Sequence, residues 1–287
     1  MATVAQTRPR PPALLMQRWP LLLGLAAILI PTLIRLAQIN WTSEAGVQGP
    51  IILATGIWLF FAKKDVILSQ AQPGNPKLFW PAFGVAAALY IVGRAMGLLV
   101  LEVGAAILLC QLLFYLQFGW VVARKLWFAL LYLYFVVPLP SWFQDQLTGT
   151  LKEWVSASVT HILAYAGVPV YRQGVVLYVA QYQLLVEDAC SGLNSLTSLL
   201  AIGLFYVYVV HQASARYALA LTATILPVAI FANMIRVIIL VLLTYFISDS
   251  VAQGFLHKTA GMVTFIVALL TIMAIDAVAQ RVLRRRA

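Results

Sequence analysis

Three short stretches of this chain carry residues that could do chemistry together: "EDACSGLNSL" at 187–196, "NMIRV" at 233–237 and "HKTAG" at 257–261. Cys190 is a candidate nucleophile. Asp188 can cap a helix that starts beside it, which puts the thiol in the first turn. Backbone N–H groups and the helix dipole there favour an anion, and the thiolate is the reactive form of cysteine. Glu187 and Asp188 act the other way, by like-charge repulsion, so activation calls for a positive partner. Arg236 lies deep in the apolar run "FANMIRVIILVLL". A charge at a helix centre costs about 2.5–3.5 kcal/mol on insertion scales and usually faces a polar cavity. Asn233 stands three residues earlier and shares its helix face. His257 offers an imidazole, the usual acid–base group near neutral pH. A cysteine nucleophile, a histidine base and an arginine for the oxyanion are the parts of acyl transfer.

Each residue also has a structural reading. A free cysteine is often a small buried hydrophobe, and Cys110 in "AILLCQLLF" reads that way. The two cysteines occupy very different contexts, so no disulfide between them is expected. An arginine near the end of a span can snorkel to the headgroups. That is the reading for Arg35, near the outer end of the first span. Arg236 has a long apolar run after it, which makes snorkelling less comfortable. A lone external histidine is usually solvated, and His161 and His211 keep structural readings.

The elements that must position these groups are membrane helices. Of the 287 residues, 63% are hydrophobic and 10% charged, with a mean hydropathy of +0.93. Soluble domains average about 45–50% apolar and about 25% charged. The polar stretches are too short to bury a core of their own. The formal charge of +10 does not point to nucleic acid, because the basic residues flank apolar runs, the pattern that orients membrane proteins. The fold class expected is an all-α integral membrane bundle of about eight transmembrane helices, near 19–39, 50–62, 78–95, 98–118, 126–139, 193–211, 217–247 and 260–280. Residues 142–167 form an amphipathic helix at the interface or across the membrane. The external segment, about 140–192, opens with helix-stopping prolines in "VPLPSWF". Its Val- and Tyr-rich part, Val170–Val186, suggests one or two short β-strands.

Lys and Arg set the sides. Arg8, Arg10, Arg18, Lys63, Lys64, Lys77, Arg124, Lys125, Arg216 and Arg281, Arg284–Arg286 fall on one side, taken as cytoplasmic. Both termini are therefore expected inside a cytoplasmic (inner) membrane. Basic tails at 1–18 and 281–287 flank one transmembrane catalytic domain, 19–280. The N-terminal stretch has no A-x-A-like cleavage site and reads as a tail, not a signal peptide. With this topology, drawn without reference to chemistry, Cys190, Arg236 and His257 fall at one level near the outer surface.

At these residues the chain resembles the exosortase/archaeosortase family of membrane cysteine transpeptidases. The resemblance rests on "EDACSGLNSL", "NMIRV" and "HKTAG" in that order, with "VPLPSWF" and "GVPVYRQG" ahead of the cysteine, and covers roughly residues 20–280. It implies that Cys190 is the nucleophile, His257 transfers the proton and Arg236 stabilises the transition state or the thiolate. It also implies that no metal or organic cofactor is needed. The expected partners are membrane lipid and secreted proteins with a C-terminal sorting signal: a Pro-containing motif, a transmembrane helix and a basic tail. The family usually has Glu two residues before the cysteine, whereas this chain has Asp188, with Glu187 before it. Asn233, Asn194, Ser195 and Glu102 are weaker candidates for the surrounding pocket. Two other classes compete: a polytopic transporter with a polar site around Arg236, and an assembly factor that binds a partner through 140–192.

Overall fold

The computed structural model describes residues 19–42, 46, 48–179, 182–185, 191–210, 215–246 and 255–286. In chain order its helices are α1 (Trp19–Ile39), α2 (Gly49–Ala62), α3 (Lys64–Gln70), α4 (Pro76–Ala95), α5 (Leu99–Lys125), α6 (Trp127–Tyr132) with a 3-10 turn at Leu133–Val136, α7 (Ser141–Tyr165), α8 (Ser191–Val210), α9 (Ala215–Phe246) and α10 (Phe255–Arg286). Helix dominates because a chain in hydrocarbon must satisfy its backbone groups within each segment. Among the described residues, Pro76–Ala95, Leu99–Lys125 and Leu219–Phe246 are long and apolar enough to cross a membrane, and four shorter apolar helices accompany them. The chain is thus a multi-pass membrane protein, while the expected total of about eight spans goes beyond these three helices. The expected 142–167 helix forms over Ser141–Tyr165.

The chain divides into two compact units. One holds Val66–Arg124 with the chain up to Ile39; the other holds Asn40–Asp65 and Lys125–Ala287. In the first unit, Asn75 starts α4 with its side-chain oxygen accepting from Lys77 N at 3.0 Å, and Pro76 fills the first helical position. Helix α5 is interrupted at Gly119, where φ is 76°. There Phe118 O accepts from Gln72 N (3.2 Å) and Leu116 O from Gly74 N (3.0 Å). A Cβ at 119 would sit 2.3 Å from Gln72 O, so both the dihedral and the space demand glycine.

In the second unit α9 is central. On one side it packs with α7 and a small sheet through Val155, Val159, Leu163, Leu177, Val179, Val237 and Leu240. On the other it packs with α8 and α10 through Leu199, Val207, Ile225, Ala229, Ala232, Ala268 and Ile272. Lipid supplies little hydrophobic drive between helices, so small residues that permit close approach matter most. Gly203 of α8 is one: a Cβ there would lie 2.7 Å from Ile225 Cδ1 of α9. An aromatic layer ties α6 to α8, with Phe128 stacked on Tyr208 at 4.0 Å.

The sheet corrects the expectation of one or two strands. Three strands, β1 (Val170–Gln173), β2 (Val176–Val179) and β3 (Tyr182–Leu185), form an antiparallel meander in the order β1-β2-β3. Gln173 pairs with Val176, leaving a two-residue turn whose first residue, Gly174, takes a positive φ of 61°, as tight hairpin turns require. Open sheet edges cannot face lipid, so this sheet belongs above the bilayer or against the helices, and Leu177 and Val179 pack in the cluster with Val237 and Leu240 of α9.

Candidate active site

The three motifs fall at the starts of α8 and α10 and within α9. Cys190 immediately precedes Ser191, the first residue of α8; Cys190 and Asp188 themselves lie outside the described residues. Asn194 and Ser195 are in the first turns of α8, and His257 is the third residue of α10. Their backbone is helical, and their side chains lie outside the described set.

Arg236 and Asn233 are fully described. Both sit on α9, three residues apart, at 3% and 2% exposure. The sequence argument against snorkelling holds for Arg236: this guanidinium is inside protein, not at a lipid-facing surface. A four-residue connection joins α8 to α9, and neighbouring helices on so short a link run antiparallel. At 1.5 Å per residue Arg236 lies about 32 Å along α9, and the start of α8 about 28 Å from its end. The two positions are therefore at similar height. The buried arginine and the residue after Cys190 belong to the same end of a packed helix pair.

A cavity of about 340 Å³ opens in the same unit, lined by Asn40, Ile52, Leu131, Tyr134, Pro138 and Thr197 among others. Thr197 is six residues into α8, about 9 Å along the helix from Ser191. The walls are mainly apolar, as small-molecule and peptide side-chain pockets usually are. The Val137–Leu139 stretch forms one side, between the 3-10 turn that ends at Val136 and Pro140, which precedes α7.

At the opposite end of these helices is a residue the sequence reading did not single out. Asp276 of α10 is 2% exposed. Its Oδ2 accepts from Tyr206 Oη of α8 and its Oδ1 from Tyr217 Oη of α9, each at 2.6 Å. Gln280 Nε2 donates to Oδ2 at 3.1 Å. These are short, charge-assisted contacts of the strong kind. One carboxylate thus pins α8, α9 and α10, the three helices that carry the three motifs. A carboxylate within an apolar run is a signal in its own right, and it was there to be read in "TIMAIDAVAQ".

One other sequence expectation changes: Arg35 does not simply snorkel but is ion-paired. Within the first unit, fully buried Glu102 is ion-paired with both Arg35 and Arg94. Arg94 Nη1 donates to Glu102 Oε1 at 2.6 Å, and Thr32 Oγ1 lies 3.1 Å from the same oxygen. These partners of Glu102 all lie inside that unit. Among the described residues no group of three His, Cys, Asp or Glu side chains forms a metal site.

A family model described as transmembrane exosortase matches residues 40–274, a range that includes all three motifs. No curated protein and no solved structure matches the chain. With most of its length covered by that model, the chain belongs to the transmembrane exosortase family.

Proposed function

We propose that this chain is a cysteine peptidase or transpeptidase that cleaves the C-terminal sorting signal of secreted proteins at the outer surface of the cytoplasmic membrane. The family is one of membrane transpeptidase-type enzymes that act on secreted proteins with such signals. The observation that carries the finer reading is the buried Arg236–Asn233 pair on α9, at the height of the α8 terminus that follows Cys190. In this reading the buried guanidinium of Arg236 is the positive partner that the flanking carboxylates of Cys190 call for.

The chemistry then runs in two steps. The Cys190 thiolate attacks the scissile carbonyl, and the oxyanion of the tetrahedral intermediate is stabilised by Arg236 and by N–H groups of the turn after Cys190. The C–N bond breaks, His257 protonates the departing amine, and an acyl-thioester remains on Cys190. An amine, a hydroxyl or water attacks the thioester, gives its proton to His257 and frees the thiolate. Asn233 orients the guanidinium or adds a donor. Asn194 and Ser195 supply polar contacts at the start of α8. Asp188 supplies a carboxylate ahead of Cys190, one carbon shorter than the family's Glu. The cavity beside Thr197 accepts apolar side chains of the substrate segment. Substrate and enzyme helices lie side by side in the bilayer, with the substrate's basic tail inside and its motif outside. Both termini of the enzyme are on the cytoplasmic side.

The test is co-expression with an epitope-tagged secreted protein that carries such a signal, followed by size on a blot. Wild type should yield a shorter product that Cys190→Ala, at matched membrane abundance, does not. Identical patterns from the two across several candidate substrates would remove Cys190 from the mechanism.

A further inference from the structure

We propose that Arg35 and Arg94, gathered around Glu102, form a binding site for the phosphate of an anionic membrane lipid. The observation is a charge that the first unit cannot balance. Glu102 is fully buried and ion-paired with both guanidiniums. It is also the sole Asp or Glu in residues 66–124 and 1–39. Two guanidiniums around one carboxylate leave one positive charge in excess, and one arginine would have been enough to neutralise the acid.

The geometry leaves the surplus charge available. Each guanidinium gives one Nη to Glu102, out of five N–H donors in its planar fork. Their side chains are 27% and 40% exposed, while Glu102 is 0%. The acid therefore forms the floor and the two cations the rim. Thr32 and Tyr90 complete the floor, with Thr32 Oγ1 3.1 Å from both Tyr90 Oη and Glu102 Oε1. Arginine forks suit phosphate oxygens, which accept two parallel hydrogen bonds.

The position selects a lipid over a free anion. Arg94 is one residue before the end of α4, and Glu102 is in the first turn of α5. Both helices are long and apolar enough to cross a membrane, so the turn between them marks the boundary of the hydrocarbon. Ile91, Met96 and Leu98 beside that turn are well exposed. A cationic centre bordered by exposed apolar side chains matches an amphiphile: phosphate on the arginines, acyl chain along the helix.

The experiment is native mass spectrometry of the purified full chain released from detergent. Phosphatidylglycerol and phosphatidylcholine are supplied in equal amounts, with and without millimolar inorganic phosphate. Wild type should retain phosphatidylglycerol in preference, and inorganic phosphate should not displace it. Arg94→Gln should weaken that preference about fivefold, the effect expected for one cation near a membrane surface. Arg35 still neutralises Glu102 in that variant, so the fold keeps its counter-charge. Arg94→Lys should keep most of the preference. Glu102→Gln, where it folds, should strengthen it by raising the excess charge, an outcome that a purely structural ion pair does not give. An unchanged lipid preference in folded Arg94→Gln would overturn the proposal. Displacement of the lipid by inorganic phosphate would overturn the assignment to lipid.

Discussion

Tyr206→Phe removes one hydroxyl donor from the carboxylate that joins α8, α9 and α10. The aromatic ring still packs, and the 2.6 Å contact to Asp276 Oδ2 is lost. Asp276 is almost fully buried, so water replaces the donor poorly. A hydrogen bond to a charged group contributes about 1.5–3 kcal/mol, and a buried acceptor left short of donors costs a similar amount. The expected loss is therefore about 1.5–3 kcal/mol, a fall on the order of 5 °C in the unfolding midpoint of purified protein in detergent micelles. The informative quantity is the coupling. In an Asp276→Ala background the hydroxyl of Tyr206 has lost this acceptor, and Tyr206→Phe should then cost less than about 0.5 kcal/mol. Residues in direct contact couple by about 0.5–3 kcal/mol in such cycles, and this pair should fall in the upper half of that range. Equal costs of Tyr206→Phe in the two backgrounds would refute the reasoning, because the clamp would then contribute nothing through this bond.

Three further outcomes are expected. Arg236→Lys keeps the charge but loses the planar fork, so signal cleavage should fall at least about tenfold at unchanged membrane abundance, measured by blot; a loss of abundance with no loss of specific activity would favour a structural role. Gly203→Val drives a branched side chain into Ile225, which a Cβ at 203 would already approach to 2.7 Å; it should cost about 1–3 kcal/mol, with part recovered by adding Ile225→Ala, read as thermal midpoint in micelles. Gly174→Val forces a β-branched residue into a φ of 61° at about 1–2 kcal/mol; hydrogen exchange at Leu177 and Val179 should speed up, whereas Gly174→Asn should stay close to wild type.

The helices were legible because hydropathy reports them directly: α1, α2, α4, α8 and α9 begin and end within about two residues of the apolar runs, while α10 extends beyond its run at both ends. Hydropathy does not report what happens inside a run. The break in α5 at Gly119 follows from a positive φ and from the approach of Gln72, neither of which leaves a mark in composition. The sheet was read too small because four-residue strands separated by two residues give almost no alternation to count. Arg35, Arg94 and Glu102 were each visible, but Arg35 and Glu102 are 67 positions apart, and no local spacing links them. Read one at a time, they gave no hint that they form one cluster. Asp276 shows the opposite lesson. A carboxylate within the last apolar run was a usable signal. For Arg236 the sequence argument against snorkelling agrees with its burial, because an arginine in a long apolar run has few inexpensive solutions.

The central claim is that Cys190 carries the acyl group between donor and acceptor. The most direct measurement is the mass of the peptide containing Cys190 after purified enzyme in detergent meets a synthetic substrate ending in a candidate sorting signal, quenched in acid before turnover completes. The account predicts an added mass equal to the substrate's N-terminal fragment, removed by hydroxylamine as a thioester should be, and absent in Cys190→Ala. Cleaved product with no adduct on that peptide, or formed by Cys190→Ala at the wild-type rate, would contradict it.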